Sequence, residues 1–273
     1  MIKKIFCIGI VLLAFKFNSY AQDFKFAFLT DMHIHNDASL NSVDSLIKTL
    51  PADADLLITG GDNVDIDNLK PEHLGLGESR YKKLAEVLKK SSKKHYLAIG
   101  NHDRLPGHTR DGKNDYRFFE NQFGKTYYAF EHKGWKFIVL NSVEIANNHY
   151  NINDEQLNWL TKELAATAKE QPVAVISHVP FLSVYYPVLE GKYTDTDTFK
   201  NQKAVFDKFS QHNLKLVLQG HMHLYEEIKV KDVQFITAGA VSGNWWAGDY
   251  HGTKPGYLMV EVKGNDFKWE YIK

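Results

Sequence analysis

Cysteine is nearly missing from this sequence; Cys7 is the only one. A disulfide framework is therefore excluded. An excess of one charge sign is missing as well. With 33 basic and 33 acidic residues, nothing marks a nucleic-acid or membrane-surface protein. Long apolar runs are scarce. The one at residues 5–15 falls short of the roughly 20 residues that span a bilayer, and Lys16 interrupts it. No later stretch is apolar enough to cross a membrane. Glycine (18) and proline (7) stand at ordinary levels, which excludes fibrous and disordered classes.

The short apolar run is informative in another way. Lys3 and Lys4 precede it, and Ser19-Tyr20-Ala21 follows with small residues at the two positions a signal peptidase reads. Residues 1–21 are expected to be a secretory signal peptide cleaved before Gln22. Residues 22–273 are expected to form a single domain, periplasmic or secreted, with no stable membrane anchor. Cleavage removes Cys7 together with Lys3, Lys4 and Lys16 and no acid, so the mature chain is slightly acidic. A chain of 273 residues that is 44% hydrophobic has enough apolar material for one sizeable core. It contains no repeat, linker or low-complexity tract.

Apolar periodicity predicts strands over residues 24–30, 55–59 and 95–99, with helices over 39–50 and 79–90 between them. Ser39 is the expected cap of the first helix. Strand–helix–strand alternation favours a mostly parallel sheet with crossover helices. A hairpin over 127–131 and 136–141 turns at Lys133-Gly134. Asn153 is expected to cap a helix reaching about residue 170, with Gln156 as its reciprocal capping partner. Strands follow at 173–176 and 214–218, with a helix near 198–209 between them, and the tail from residue 224 is strand-rich. The stretches 103–116 and 180–197 have no clear period. Loops of that length in a compact domain are usually functional.

Metal-binding residue types cluster after these strands. Asp31-x-His33 and Gly61-Asp62-x-x-Asp65 come first, then Gly100-Asn101-His102-Asp103, Ser177-His178 and Gly220-His221-x-His223. Residues i and i+2 of a strand point the same way, so Asp31 and His33 can reach one ion. Asp62 follows a strand through two glycines, and its two oxygens can bridge two ions. Ligand sites of open α/β sheets gather at the carboxyl ends of strands. Each cluster alone is weak: a turn pair, a helix cap, a surface histidine. Five in order, each after a strand, make coincidence a poor explanation. Oxygen and imidazole donors without thiolate suit Mn, Fe, Zn or Co better than Ca or Mg alone.

With all five parts in place, the chain resembles the calcineurin-like metallophosphoesterase family, over roughly residues 24–271. That resemblance implies an α/β fold of two mixed β-sheets packed as a sandwich and flanked by helices. It implies two divalent metal ions: one held by Asp31, His33, Asp62 and His223, the other by Asp62, Asn101, His178 and His221. It implies hydrolysis of a small-molecule phosphate ester by a hydroxide shared between the ions, with monoester and diester both open. His102 would sit beside the phosphate, as general acid or as electrostatic stabiliser, and Asp103 would orient it. Asp65 would be a hydrogen-bond partner that orients ligands. The tyrosine ligand of purple acid phosphatases is absent after Asp62, and the chain is too short for the second domain of large periplasmic nucleotidases.

Two other readings stand beside this one. A nuclease of the same family would need a basic stripe, and none is present. A non-catalytic interaction module would tend to lose metal ligands, and none is missing. Candidate substrate contacts are Trp245, in a glycine-rich loop with Trp246, Tyr185, and Arg104 or Arg110 after the metal loop. Oligomeric state has no signature in the sequence.

Overall fold

The computed structural model describes residues 21–105, 115–193 and 197–273. The expected signal segment (save Ala21) and Arg110 lie outside these residues. In chain order the first half runs β1 (Phe24–Leu29), α1 (Asp37–Thr49), β2 (Leu56–Thr59), α2 (Leu74–Lys90), β3 (Lys94–Leu97) and α3 (Arg117–Phe123). The hairpin β4 (Tyr128–His132) and β5 (Trp135–Leu140) follows, then β6 (Glu144–Ala146), β7 (His149–Asn151) and α4 (Asp154–Ala165). The chain continues through β8 (Pro172–Ser177), α5 (Gln202–Lys208) and β9 (Asn213–Gln219). It closes with β10 (Glu226–Val230), β11 (Val233–Thr237), β12 (Tyr257–Lys263) and β13 (Asp266–Ile272).

Two mixed sheets result. One has the order β13-β12-β1-β2-β3, the other β10-β11-β9-β8-β5-β4. In the first, β1, β2 and β3 are mutually parallel and β12 and β13 extend one edge antiparallel. In the second, β11, β9, β8 and β5 are parallel and β10 and β4 are antiparallel edges.

Strand alternation explains why the sheets stack. Phe24, Phe26 and Phe28 of β1 share a buried cluster with Trp135, Phe137 and Val139 of β5 and with Leu216 and Leu218 of β9. Ring contacts such as Phe26 against Phe137 (5.7 Å, 88°) fill this layer. The intervening residues Ala27 and Leu29, and Ile138 and Leu140, join Val43 and Ile47 of α1, Leu84 of α2 and Leu160 of α4 in the second cluster. Each buried Val, Leu, Ile or Phe among them stabilises the fold by roughly 1.5–3 kcal/mol. The outcome is the expected helix–sheet–sheet–helix sandwich. Among the described residues no helix is long and apolar enough to cross a membrane.

Local capping departs from expectation. Helix α1 is capped by Asn36, whose side chain accepts from the Ser39 amide at 2.9 Å. Ser39 supplies the reciprocal half, its hydroxyl accepting from the Asn36 amide at 3.1 Å. Helix α2 begins at Leu74, since tertiary packing outweighs the helix cost of Gly75 and Gly77. Asn153 does cap α4, but Gln156 is not its reciprocal partner. The Gln156 side chain accepts from the Asn141 amide and donates to the Asn141 carbonyl, both at 2.9 Å. It pins the end of β5 instead. The β6–β7 hairpin escaped sequence reading; its turn rests on Asn147 and Asn148 at φ 51° and 62°.

Candidate metal centre

The motif residues lie just beyond the carboxyl ends of five parallel strands: Asp31 and His33 after β1, Asp62 after β2, Asn101 and His102 after β3. His178 follows β8, and His221 and His223 follow β9. Backbone hydrogen bonds stitch these ends together. The Asp31 amide donates to the Gly61 carbonyl at 3.0 Å and the His33 amide to the Asp62 carbonyl at 2.9 Å. Gly220 donates to His178 at 3.1 Å, and Val241 reaches across to Thr30 at 2.9 Å. The first sheet's loops thus meet those of the second.

Much of this backbone is strained. Asp31, His33, Asp62, His221 and His223 adopt φ of 53°, 43°, 49°, 72° and 55°. Non-glycine residues in the left-handed region cost roughly 1–3 kcal/mol each and concentrate at functional sites. Two glycines are sterically required. A Cβ on Gly100 would fall 2.1 Å from the Asp62 amide nitrogen, and one on Gly61 (φ 99°) would fall 2.5 Å from the His178 ring.

The side chains converge into three overlapping groups; the one of His33, Asp62 and His102 links the other two. Asp31, His33 and His223 place donor atoms within 4.8 Å of one another, and so do Asp62, His178 and His221. His33 Nε2 lies 3.0 Å from His223 Nε2, and His223 Nε2 lies 3.5 Å from Asp31 Oδ1. His178 Nε2 is 3.1 Å from Asn101 Oδ1. Asp62 Oδ2 stands between the groups, 3.7 Å from His33 Nε2 and 3.2 Å from His178 Nε2.

The far sides of three of the four rings, His33, His178 and His223, show that this donor set fits cations. Nδ1 of His178 faces the Gly60 carbonyl at 2.8 Å, and Nδ1 of His223 faces the Gly243 carbonyl at 2.5 Å. Nδ1 of His33 faces Asp65 Oδ1 at 2.6 Å. A carbonyl or carboxylate oxygen can only accept, so each Nδ1 carries the proton and each Nε2 lone pair points into the centre. Two lone pairs 3.0 Å apart, with buried carboxylates around them, need a positive charge between them.

Electrostatics agree. Burial alone would raise Asp31, yet the facing His223 and His178 hold it down to about 2. Asp62 is likewise held well below the carboxylate range by His178, His102 and His33, against its burial. Burial pulls His178 down, but Asp62 and Asp31 outweigh it and raise the ring to about 9. Burial and the neighbouring His178 lower His221, with Asp197 opposing. A divalent cation at these lone pairs takes the place of the protons.

Around the centre, partner choice differs from expectation. Asp103 does not orient His102. It is buried, and its carboxylate accepts from the Asn63, Val64 and Gly100 amides at 2.8–3.1 Å and from the Tyr81 hydroxyl at 2.8 Å. It ties the Asp62 loop to the Asn101 loop, since the short turn after Gly100 aims it inward. The partner of His102 is Asp67, 2.9 Å from Nδ1. Burial works against a charge on His102, but Asp67 and Asp62 raise it to about 10. Asp65 sits on His33, as a ligand-orienting partner should. Asp197, which carried no sequence signal, lies 3.7 Å from His221 Nε2.

The candidate substrate contacts divide. Tyr185 and Trp245 line the cavity over the centre together with Asp62, His102, His221 and His223. Trp245 stacks on His223 at 4.2 Å and is 45% exposed. Trp246 instead donates from Nε1 to the His33 carbonyl at 3.1 Å. Arg104 does not line this cavity. Its Nη1 donates to the Val143 carbonyl at 3.0 Å and its guanidinium lies over the Tyr150 ring, because that carbonyl and ring draw it away.

Comparison with known proteins gives the same class. Over 242 residues the chain is 24% identical to a probable cyclic nucleotide phosphodiesterase of Psychrobacter sp. (strain PRwf-1), covering 85% of this chain and 66% of that protein. A dimetal phosphatase from Danio rerio superposes with a TM-score of 0.65 at 13% identity, covering 91% of this chain and 96% of that one. A purple acid phosphatase from yellow lupin (Lupinus luteus) seeds gives 0.66 at 15% identity, covering 93% and 52%. These structural likenesses show the fold. The profile of the calcineurin-like phosphoesterases matches residues 24–225; the chain belongs to the calcineurin-like phosphoesterase family, whose reaction class is phosphoric ester hydrolysis.

Proposed function

We propose that this chain hydrolyses a small organic phosphoester with two divalent cations, one at Asp31, His33 and His223 and one at Asn101, His178 and His221. Asp62 belongs to both. One observation carries this reading: Asp62 Oδ2 lies within 3.7 Å of an imidazole nitrogen from each of two separate clusters. Imidazole with carboxylate and amide oxygen suits Mn, Fe, Zn or Co. Cations bound there supply Lewis-acid polarisation of the phosphoryl group and a water of lowered pKa.

The protein's own groups do the remaining work. His102 turns Nδ1 toward Asp67, which leaves Nε2 to meet a phosphoryl or leaving-group oxygen. With Asp67 beside Nδ1, a protonated His102 would donate a charge-assisted hydrogen bond as negative charge builds. Asp65 fixes the His33 ring, and Trp246 fixes the backbone beneath it. Both monoesters and diesters suit this chemistry, and the name of the Psychrobacter relative favours a diester.

Elemental analysis beside assays of p-nitrophenyl phosphate and its bis ester tests the proposal. Two metals per chain with turnover of either ester are expected in the wild type, with both lost in Asp62→Ala. Two metals retained by Asp62→Ala would contradict the bridging role. The N-terminal pattern supports export to the periplasm or medium, with residues 22–273 as one domain. N-terminal sequencing of the exported chain should begin at Gln22; an intact Met1 on exported protein would refute cleavage.

A further inference from the structure

The cavity over the centre has a wall that hydrolysis leaves unused. Besides the motif residues it is lined by Tyr185, Tyr186, Asp197, Trp245 and Tyr250. The rings meet at steep angles: 87° between Trp245 and Tyr250, 76° between Tyr185 and Tyr186. The hydroxyls of Tyr185 and Tyr250 are 3.4 Å apart and close the corner. A flat base is gripped between parallel plates. Faces set at right angles make a box, which suits a rounded group.

The charge of that group follows from the lining. Aromatic faces carry the negative end of the ring quadrupole and attract cations. Asp197 adds a carboxylate, to which the Tyr186 hydroxyl donates. Among the described residues no lysine or arginine lines the cavity. The volume of about 190 Å³ is below the roughly 300 Å³ at which pockets for drug-sized ligands begin. Trp245 in the wall sits at φ 46°, and its neighbours Trp246 and His251 at 70° and 45°, conformations rarely adopted by bulky residues.

We propose that this chain selects phosphoesters that carry an alkylammonium group, with the cation in the box of Trp245, Tyr185, Tyr186 and Tyr250 beside Asp197 and the phosphoryl group over Asp62. This rests on the hydrolase reading. The bond change is simple hydrolysis: a water oxygen bonds to phosphorus, the bond to the leaving oxygen breaks, and that oxygen takes up a proton.

The test compares p-nitrophenyl phosphorylcholine with p-nitrophenyl 3,3-dimethylbutyl phosphate, an isostere with carbon in place of nitrogen. Metal-loaded wild type should prefer the cationic ester by about tenfold or more in kcat/KM. Tyr250→Leu and Trp245→Leu should bring that ratio toward one, whatever they do to absolute rates. Independently of any variant, choline should inhibit bis-p-nitrophenyl phosphate hydrolysis and 3,3-dimethylbutan-1-ol should not. Turnover of glycerophosphocholine, or of phosphatidylcholine vesicles, would support the proposal and name the source as a soluble ester or a lipid headgroup. Equal rates for the two test esters, or faster turnover of a cyclic nucleotide, would overturn the box and leave the hydrolase reading standing. No turnover of any of these esters by protein holding two metals would overturn both.

Discussion

The floor and the wall of the cavity are built in opposite ways. The floor is made of side chains at the ends of parallel strands: Asp31, His33, Asp62, His178 and His223 are buried, and Asn101, His102 and His221 half-buried. The wall comes from the connections between strands: Tyr185 and Tyr186 open a short helix over Tyr185–Glu190, and the wall's largest member, Trp245, sits in a turn and is 45% exposed. A floor fixed by two sheets can hold donors at distances a cation demands. A wall made of such connections can change its shape and chemistry without disturbing the floor. On the proposed function, this difference separates the reaction, set by the floor, from the choice of substrate, left to the wall.

Breaking the floor should have the largest effects. Asp62→Ala is expected to lose both cations and all turnover, as read by metal content and ester hydrolysis. His102→Ala should keep its metals and lose about 10²–10³ in kcat, the usual cost of one transition-state donor; undiminished kcat at full metal content would sink its role. Asp103→Ala leaves several buried donors unpaired and should cost about 3 kcal/mol or more in a denaturant titration. If Asp103 served His102 instead, stability would hold and turnover alone would fall.

Subtler changes sharpen the contrast. Asp65→Ala should weaken metal binding by about 10–100-fold with the fold intact, since only the His33 ring loses its brace. Acid should do the same by another route. His178 titrates at about 9 in the metal-free protein, so below that pH a cation must displace its proton. Falling pH therefore weakens uptake, by about tenfold per unit for one proton. Metal affinity measured across pH 6–8 that does not move would show that His178 is not a ligand.

Most of the strands that carry the floor were readable because buried parallel strands are short apolar runs that lead into a motif; β3, Lys94-His95-Tyr96-Leu97, is buried only at Leu97. The two-sheet sandwich followed from the resemblance and from the strand-rich tail. Caps were harder. Asn36 and Ser39 both accept hydrogen bonds, and only the direction of the entering chain decides which one caps α1. The Gln156 side chain left its helix end because the Asn141 backbone offered both a donor and an acceptor. Asp67 and Asp197 went unseen for a simpler reason: neither lies in a motif, and nothing local marks a lone aspartate as the neighbour of a histidine far along the chain.

Sequence alone determined the donor types, their order and their position after strands, because strand period and glycine placement act over a few residues. It also determined the likeness to metal-dependent phosphoesterases. Tertiary structure alone decided which aspartate serves which histidine, that Asp103 braces two loops, that Arg104 turns aside, and that Tyr185, Tyr186, Trp245 and Tyr250 line one cavity. Those are contacts between segments distant in sequence, and their geometry exists only once two sheets have stacked and brought their loops to one edge.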